Sequence, residues 1–117
     1  MTNAPSTSVI TTHVLDSAIG APAHGVAVVL EAREGETWTE IATGTTDVNG
    51  RITVLGPATL ASGVYRLTFA VGAYYAAREV ATFYPEVSVT CRISSDEEHY
   101  HVPLLLSPFA YSTYRGS

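Results

Sequence analysis

The sequence predicts an all-β domain: a sandwich of two sheets whose strands run mostly antiparallel. Two observations lead there. Short runs rich in Val, Ile, Thr and Tyr alternate apolar and polar residues, and no helical period is sustained. Gly, Pro, Asn and Asp break these runs at close intervals, the spacing expected of two packed sheets. The length, 117 residues, suits one core, since a second would be starved of apolar surface. A single domain is therefore expected over residues 9–117, after a disordered tail at 1–8.

The elements follow in order. Val9 to Leu15 reads as a first strand, closed by the turn-rich Asp16 to Pro22. Val26 to Ala32 and Thr37 to Gly44 read as a hairpin around Glu34-Gly35-Glu36. Asn49-Gly50 is a strong turn signal, because Asn and Gly accept positive φ, and a short strand can begin at Arg51 and run to Val54. Val64 to Ala70 alternates clearly. Gly72 to Glu79 is the sole helix candidate, short enough to depend on packing. Val87 to Ile93, Tyr100 to Ser107 and Ala110 to Arg115 complete eight strands. Pro103 cannot donate to a ladder, which predicts a sheet edge or a bulge there.

Composition excludes several functions. The net charge of −5 opposes nucleic-acid binding, which calls for a basic face. All six basic residues are Arg, so there is no lysine for a Schiff base. No apolar run approaches the length of a membrane helix. The polar start, Met1 to Ser8, lacks the pattern of a signal peptide, so a cytoplasmic location is expected. Cys91 cannot form an internal disulfide and shares a strand face with Val87, Val89 and Ile93, the setting of a small buried hydrophobe. With 15% charged residues against 46% hydrophobic ones, part of the surface is expected to be covered in an oligomer.

Few residues offer chemistry. His13 lies mid-strand on the face of Thr11 and Leu15. His99 and His101 are two apart and share a strand face, which suits either proton transfer or a His-x-His metal pair. No third ligand follows at a metal spacing, so neither metal nor cofactor is expected. His24 sits in a turn and reads as exposed and idle. Arg51 starts a strand beside a tight turn, where it makes a surface ion pair or holds an electron-rich ligand through its planar fork. The C-terminal Tyr111 to Arg115 stays strand-like, unusual for a chain end.

The run His99-Tyr100-His101-Val102-Pro103-Leu104-Leu105-Leu106-Ser107-Pro108, ending in Tyr114-Arg115-Gly116-Ser117, resembles the C-terminal signature of the 5-hydroxyisourate hydrolases, also called transthyretin-related proteins. Thr11-Thr12-His13-Val14-Leu15-Asp16 is similar to that family's N-terminal signature, and Asp47-Val48-Asn49-Gly50-Arg51 to its central motif. The terminal tetrapeptide separates these enzymes from transthyretin, which lacks it. The resemblance spans about Val9 to Ser117. It implies a transthyretin-like sandwich of two four-stranded sheets with one short helix, assembled as a homotetramer with sites at the dimer–dimer interface.

By the same resemblance, His13, Arg51, His101 and Ser117 carry catalysis, and His13, Arg51, Tyr114 and Arg115 contact the substrate. The implied reaction opens the six-membered ring of 5-hydroxyisourate to give 2-oxo-4-hydroxy-4-carboxy-5-ureidoimidazoline, a step of urate catabolism, without a cofactor. The alternative is a transthyretin-like protein that binds a small molecule without catalysis. Two histidines and an arginine in one pocket have no use in a carrier of apolar ligands, and this separates the two.

Overall fold

Alternation along β1 (Ile10–Asp16) sets the pattern of the molecule. Ile10, Thr12, Val14 and Asp16 turn inward and are buried, while Thr11, His13 and Leu15 share the outer face. The structure, a computed structural model, describes residues 8–94 and 99–116. After β1 come β2 (Ala21–Pro22), β3 (Ala27–Glu34), β4 (Thr37–Thr45), β5 (Arg51–Ile52), β6 (Gly63–Phe69), helix α1 (Val71–Ala76), β7 (Val87–Ile93), β8 (Tyr100–Leu106) and β9 (Tyr111–Thr113).

The strands form the expected two sheets. One is ordered β4-β3-β6-β7 and is antiparallel throughout. The other runs β2-β1-β8-β9, with β5 also paired to β1. Its centre is a parallel pair: β1 and β8 stay in register from Ile10↔Tyr100 to Asp16↔Leu106. The core lies between the sheets. Val14, Leu104 and Leu106 from one meet Val28, Leu30, Leu67 and Phe69 from the other, all at 0% exposure. Each such side chain contributes about 1.5–3 kcal/mol of burial.

Several local expectations are corrected. Ala21–Pro22 pairs with Leu15 and Asp16, so the first sheet has five strands rather than four. The strand expected over 51–54 ends at Ile52. The helix starts one residue early and stops at Ala76, with Glu79 at φ 57 beyond it. Strand β8 is central, not an edge. The ladder to the C-terminal segment instead lapses opposite Pro103, between Leu104↔Thr113 and the bridge His101↔Gly116. Ser8, expected in the tail, is buried, and its hydroxyl accepts the Leu55 N–H at 2.7 Å. The rest of the expected tail, 1–7, lies outside the described residues.

Helix α1 carries no capping side chain and is tied down through Asp16. The Tyr74 and Tyr75 hydroxyls donate to the two oxygens of this buried carboxylate at 2.9 and 3.1 Å, and the Ala18 N–H adds a third bond. Burial, followed by the bond to Asp16, pushes the Tyr74 hydroxyl up to about 12. Burial followed by the Asp16 charge pushes Tyr75 up as well. Both therefore remain donors at neutral pH.

The turn before β5 demands glycine. Gly50 has φ +74, and a Cβ there would stand 2.3 Å from the Val14 carbonyl oxygen, while its own carbonyl accepts the Val14 N–H at 2.7 Å. Gly35, in the β3–β4 hairpin, has φ +65 with nothing within 4 Å. Gly50→Ala is expected to cost about 2–4 kcal/mol, strain plus displacement of β5. Gly35→Ala, paying for strain alone, is expected to cost about 1 kcal/mol. Urea unfolding of both variants checks this; equal losses would contradict the close approach at Gly50.

Candidate active site

Three strands of the five-stranded sheet bring His13, Arg51 and His101 to one outer face. Antiparallel pairing places Arg51 directly opposite His13. Parallel pairing places His101 opposite Thr11, one step along β1 from His13 on the same face. The C-terminal segment closes in from the far side, where the Gly116 N–H donates to the His101 carbonyl at 2.8 Å. A Cβ at position 116 would stand 2.6 Å from His101 Cδ2, so only glycine lets the segment lie against that ring.

Arg51 is aimed by the turn before it. The Asp47 carboxylate accepts the backbone N–H groups of Asn49 and Arg51 at 2.8 and 3.0 Å, and Gly50 donates to the Asp47 carbonyl. This is an Asx turn continued into a strand. The Asp47 carboxyl is held below its usual range, first by the Arg51 N–H. Among the described residues the ion pair within 4 Å is Arg66–Glu31, and none of them gives the Arg51 guanidinium a carboxylate partner.

His13 and His101 are pushed towards the neutral form. Burial, then the Arg51 charge, pushes His13 below its ordinary value of 6.5, against the Asn49 backbone bond and the Asp47 charge. His101 is lowered by burial first, then by Arg51, His13 and His99. The two rings are therefore bases at neutral pH. Since the unfolded chain binds protons more readily at these positions, their contribution to stability falls as pH drops through 6.5.

His99 and His101 stack with centroids 6.4 Å apart, as the shared face predicts. Their nitrogens meet at Thr11 rather than at a common ligand point: Thr11 Oγ1 lies 2.8 Å from His101 Nδ1 and 2.9 Å from His99 Nε2. Among the described residues no group of three or more His, Cys, Asp or Glu is arranged to hold a metal ion. Sequence reading passed over Thr11 as a face neighbour; its signal was its place two residues before His13.

Other expected residues lie elsewhere. Arg115 is turned to the opposite face of the sheet, its guanidinium 4.4 Å above the Tyr100 ring, at the rim of a cavity of about 260 Å³ that Val89, Cys91 and Val102 also line. Tyr114 is 58% exposed beside it. Ser117 lies outside the described residues. His24 is exposed, and its carbonyl accepts a bond from Arg78. Cys91 is half-buried against the core, and burial pushes its thiol up, which suits packing rather than reactivity.

These features describe a small two-sheet β-sandwich with two histidines and an arginine gathered on the outer face of one sheet. A model of the HIUase/Transthyretin family matches residues 10–116, and the chain belongs to that family. It is 48% identical to a 5-hydroxyisourate hydrolase of Salmonella typhi over 118 aligned residues, covering 100% of this chain and 87% of that protein. The structure of Klebsiella pneumoniae 5-hydroxyisourate hydrolase superimposes with a TM-score of 0.82 at 38% identity, over 94% of this chain and 100% of that one. Sea bream transthyretin, solved in complex with thyroxine, gives a TM-score of 0.86 at 32% identity, over 92% and 94%. Backbone shape alone does not separate hydrolase from carrier; the higher sequence identity lies with the hydrolases.

If Arg51 sets the electrostatics of the face, Arg51→Gln is expected to raise the pKa of both His13 and His101. NMR titration of the imidazoles checks this. An unchanged pair of titration curves would mean that the guanidinium acts on neither ring.

Proposed function

We propose that the chain hydrolyses 5-hydroxyisourate to 2-oxo-4-hydroxy-4-carboxy-5-ureidoimidazoline in urate catabolism. One observation carries the reading: His13, Arg51 and His101 share a face on which both imidazoles are driven towards the neutral form beside a cation that has no carboxylate within 4 Å among the described residues. In this mechanism His101, with His13 beside it, takes a proton from water as the water attacks the ring carbonyl. Arg51 stabilises the negative charge that develops on that oxygen. The ring C–N bond then breaks and the imidazolium returns its proton to the released nitrogen; the carbonyl carbon stays in the opened product as a carboxylic acid, which ionises by giving the second water proton to solvent. No step calls on a metal, so dialysis against a chelator should leave turnover unchanged. Tyr114 and Ser117 belong to the proposal as contacts completed on assembly; Arg115, over Tyr100 on the opposite face, is left out of it.

A homotetramer supports that completion. His13 and His101 are only half-buried and Arg51 is exposed, so a second copy laid over this face would exclude water and strengthen the charges within. A cytoplasmic location fits the single thiol, Cys91. Transthyretin-like carriage of a small ligand is the second reading, favoured only by the backbone match to sea bream transthyretin.

The test is to add freshly generated 5-hydroxyisourate to the protein, sedimenting at about four times 12.4 kDa, and to follow its ultraviolet decay. Rapid decay is expected. Arg51→Lys, which keeps the charge and loses the planar fork, should lower kcat and kcat/KM together by about 10²-fold. Decay no faster than in buffer would favour the carrier, and a rise in KM alone would reduce Arg51 to substrate docking.

A further inference from the structure

The mechanism above leaves the Thr11 contact unused. Its hydroxyl sits between two imidazoles, 2.8 Å from His101 Nδ1 and 2.9 Å from His99 Nε2. Such a hydroxyl has one proton to donate and lone pairs with which to accept, so the contact can order protons as well as rings.

The His101 ring is gripped at two places. Nδ1 meets Thr11, and the Cδ2 edge lies against Gly116, where a Cβ would come within 2.6 Å. Nε2 is left for chemistry. For Nε2 to receive a proton, Nδ1 must carry one, and Thr11 must then accept from it. The proton of the Thr11 hydroxyl needs an acceptor in turn, and His99 Nε2 lies within reach. The chain His101 Nδ1–H to Thr11 Oγ1–H to His99 Nε2 satisfies all three groups. The reverse chain would put the proton on His101 Nε2 and make that nitrogen an acid. Only the forward chain survives protonation of His101, because an imidazolium must donate from both nitrogens; it also gains strength as the ring becomes charged. Among the described residues, the charged and titratable groups facing His101 are Arg51 from β5, His13 from β1 and His99, just before β8.

We propose that Thr11 and His99 are positioning residues that hold His101 in the Nδ1–H tautomer and so reserve Nε2 as the base. The catalytic consequence rests on the reading of His101 as the proton acceptor; the tautomer does not.

Long-range proton–nitrogen NMR of the histidine rings tests the tautomer directly. The wild-type protein, at a pH where His101 is neutral, is expected to show the proton on Nδ1. Thr11→Val and His99→Phe should each mix the tautomers and lower kcat roughly 10-fold to 10²-fold with KM within about twofold, a part of the general-base contribution. Thr11→Ser and His99→Gln, which restore a hydroxyl and an acceptor, should recover most of that loss. A wild-type His101 protonated on Nε2 would overturn the proposal, as would variants that leave tautomer and kcat unchanged. If Thr11→Val does not fold, the wild-type spectrum and the exposed His99→Phe decide. Full hydrolysis by His101→Ala would remove the catalytic reading while leaving the tautomer to be judged by its own spectrum.

Discussion

The parallel pairing of β1 with β8 is the constraint on which the rest of the molecule depends. Seven residues of the first strand lie beside seven near the C-terminus, so residues 17–99 form the crossover between them. A parallel pair cannot be closed by a tight turn, and the intervening residues supply the second sheet and the helix that cover it. The same alternation serves two ends. Ile10, Val14, Leu104 and Leu106 go to the core, while Thr11, His13 and His101 go to the outer face. Residues from opposite ends of the sequence become neighbours only when the fold is complete.

That outer face is polar at some cost, and its surroundings limit the cost by choosing charge states. Arg51 supplies a fixed cation, held through its backbone by Asp47 and brought to β1 by Gly50. Burial and that cation favour neutral imidazoles at His13 and His101. The buried Asp16 is handled differently, by three hydrogen-bond donors, two of them from the helix it secures. Arg66 illustrates the ordinary alternative for a surface arginine: it is paired with Glu31 and stacked on Trp38. Arg51 has no such carboxylate partner among the described residues.

Much of this was legible in the residues. Period-two runs located β1, β3, β4, β6, β7 and β8, since alternation reports directly which face a strand buries. Asn49-Gly50 marked the turn that aims Arg51, and the His-x-His spacing placed both rings on one face. What was lost concerns partners rather than propensities. Nothing local in Val9 to Leu15 says that it pairs in parallel with Tyr100 to Ser107. Pro103 suggested an edge because the rule concerns a missing N–H, and β8 accommodates the loss by letting one ladder lapse. Asp16 read as a turn residue because its two tyrosine donors lie far along the chain. The same alternation that helped elsewhere carries Arg115 away from the histidines, and the motif containing it gave no hint of that.

The central claim is that His13 and His101, joined by the β1–β8 pair, act on the same reaction as a unit. A double-mutant cycle on 5-hydroxyisourate hydrolysis measures this most directly, using His13→Ala, His101→Ala and the double variant. If the two rings work together, the double variant should be little slower than the slower single one, each single loss being about 10²-fold. Losses that multiply, to about 10⁴-fold in the double variant, would show two independent contributions and would contradict the claim.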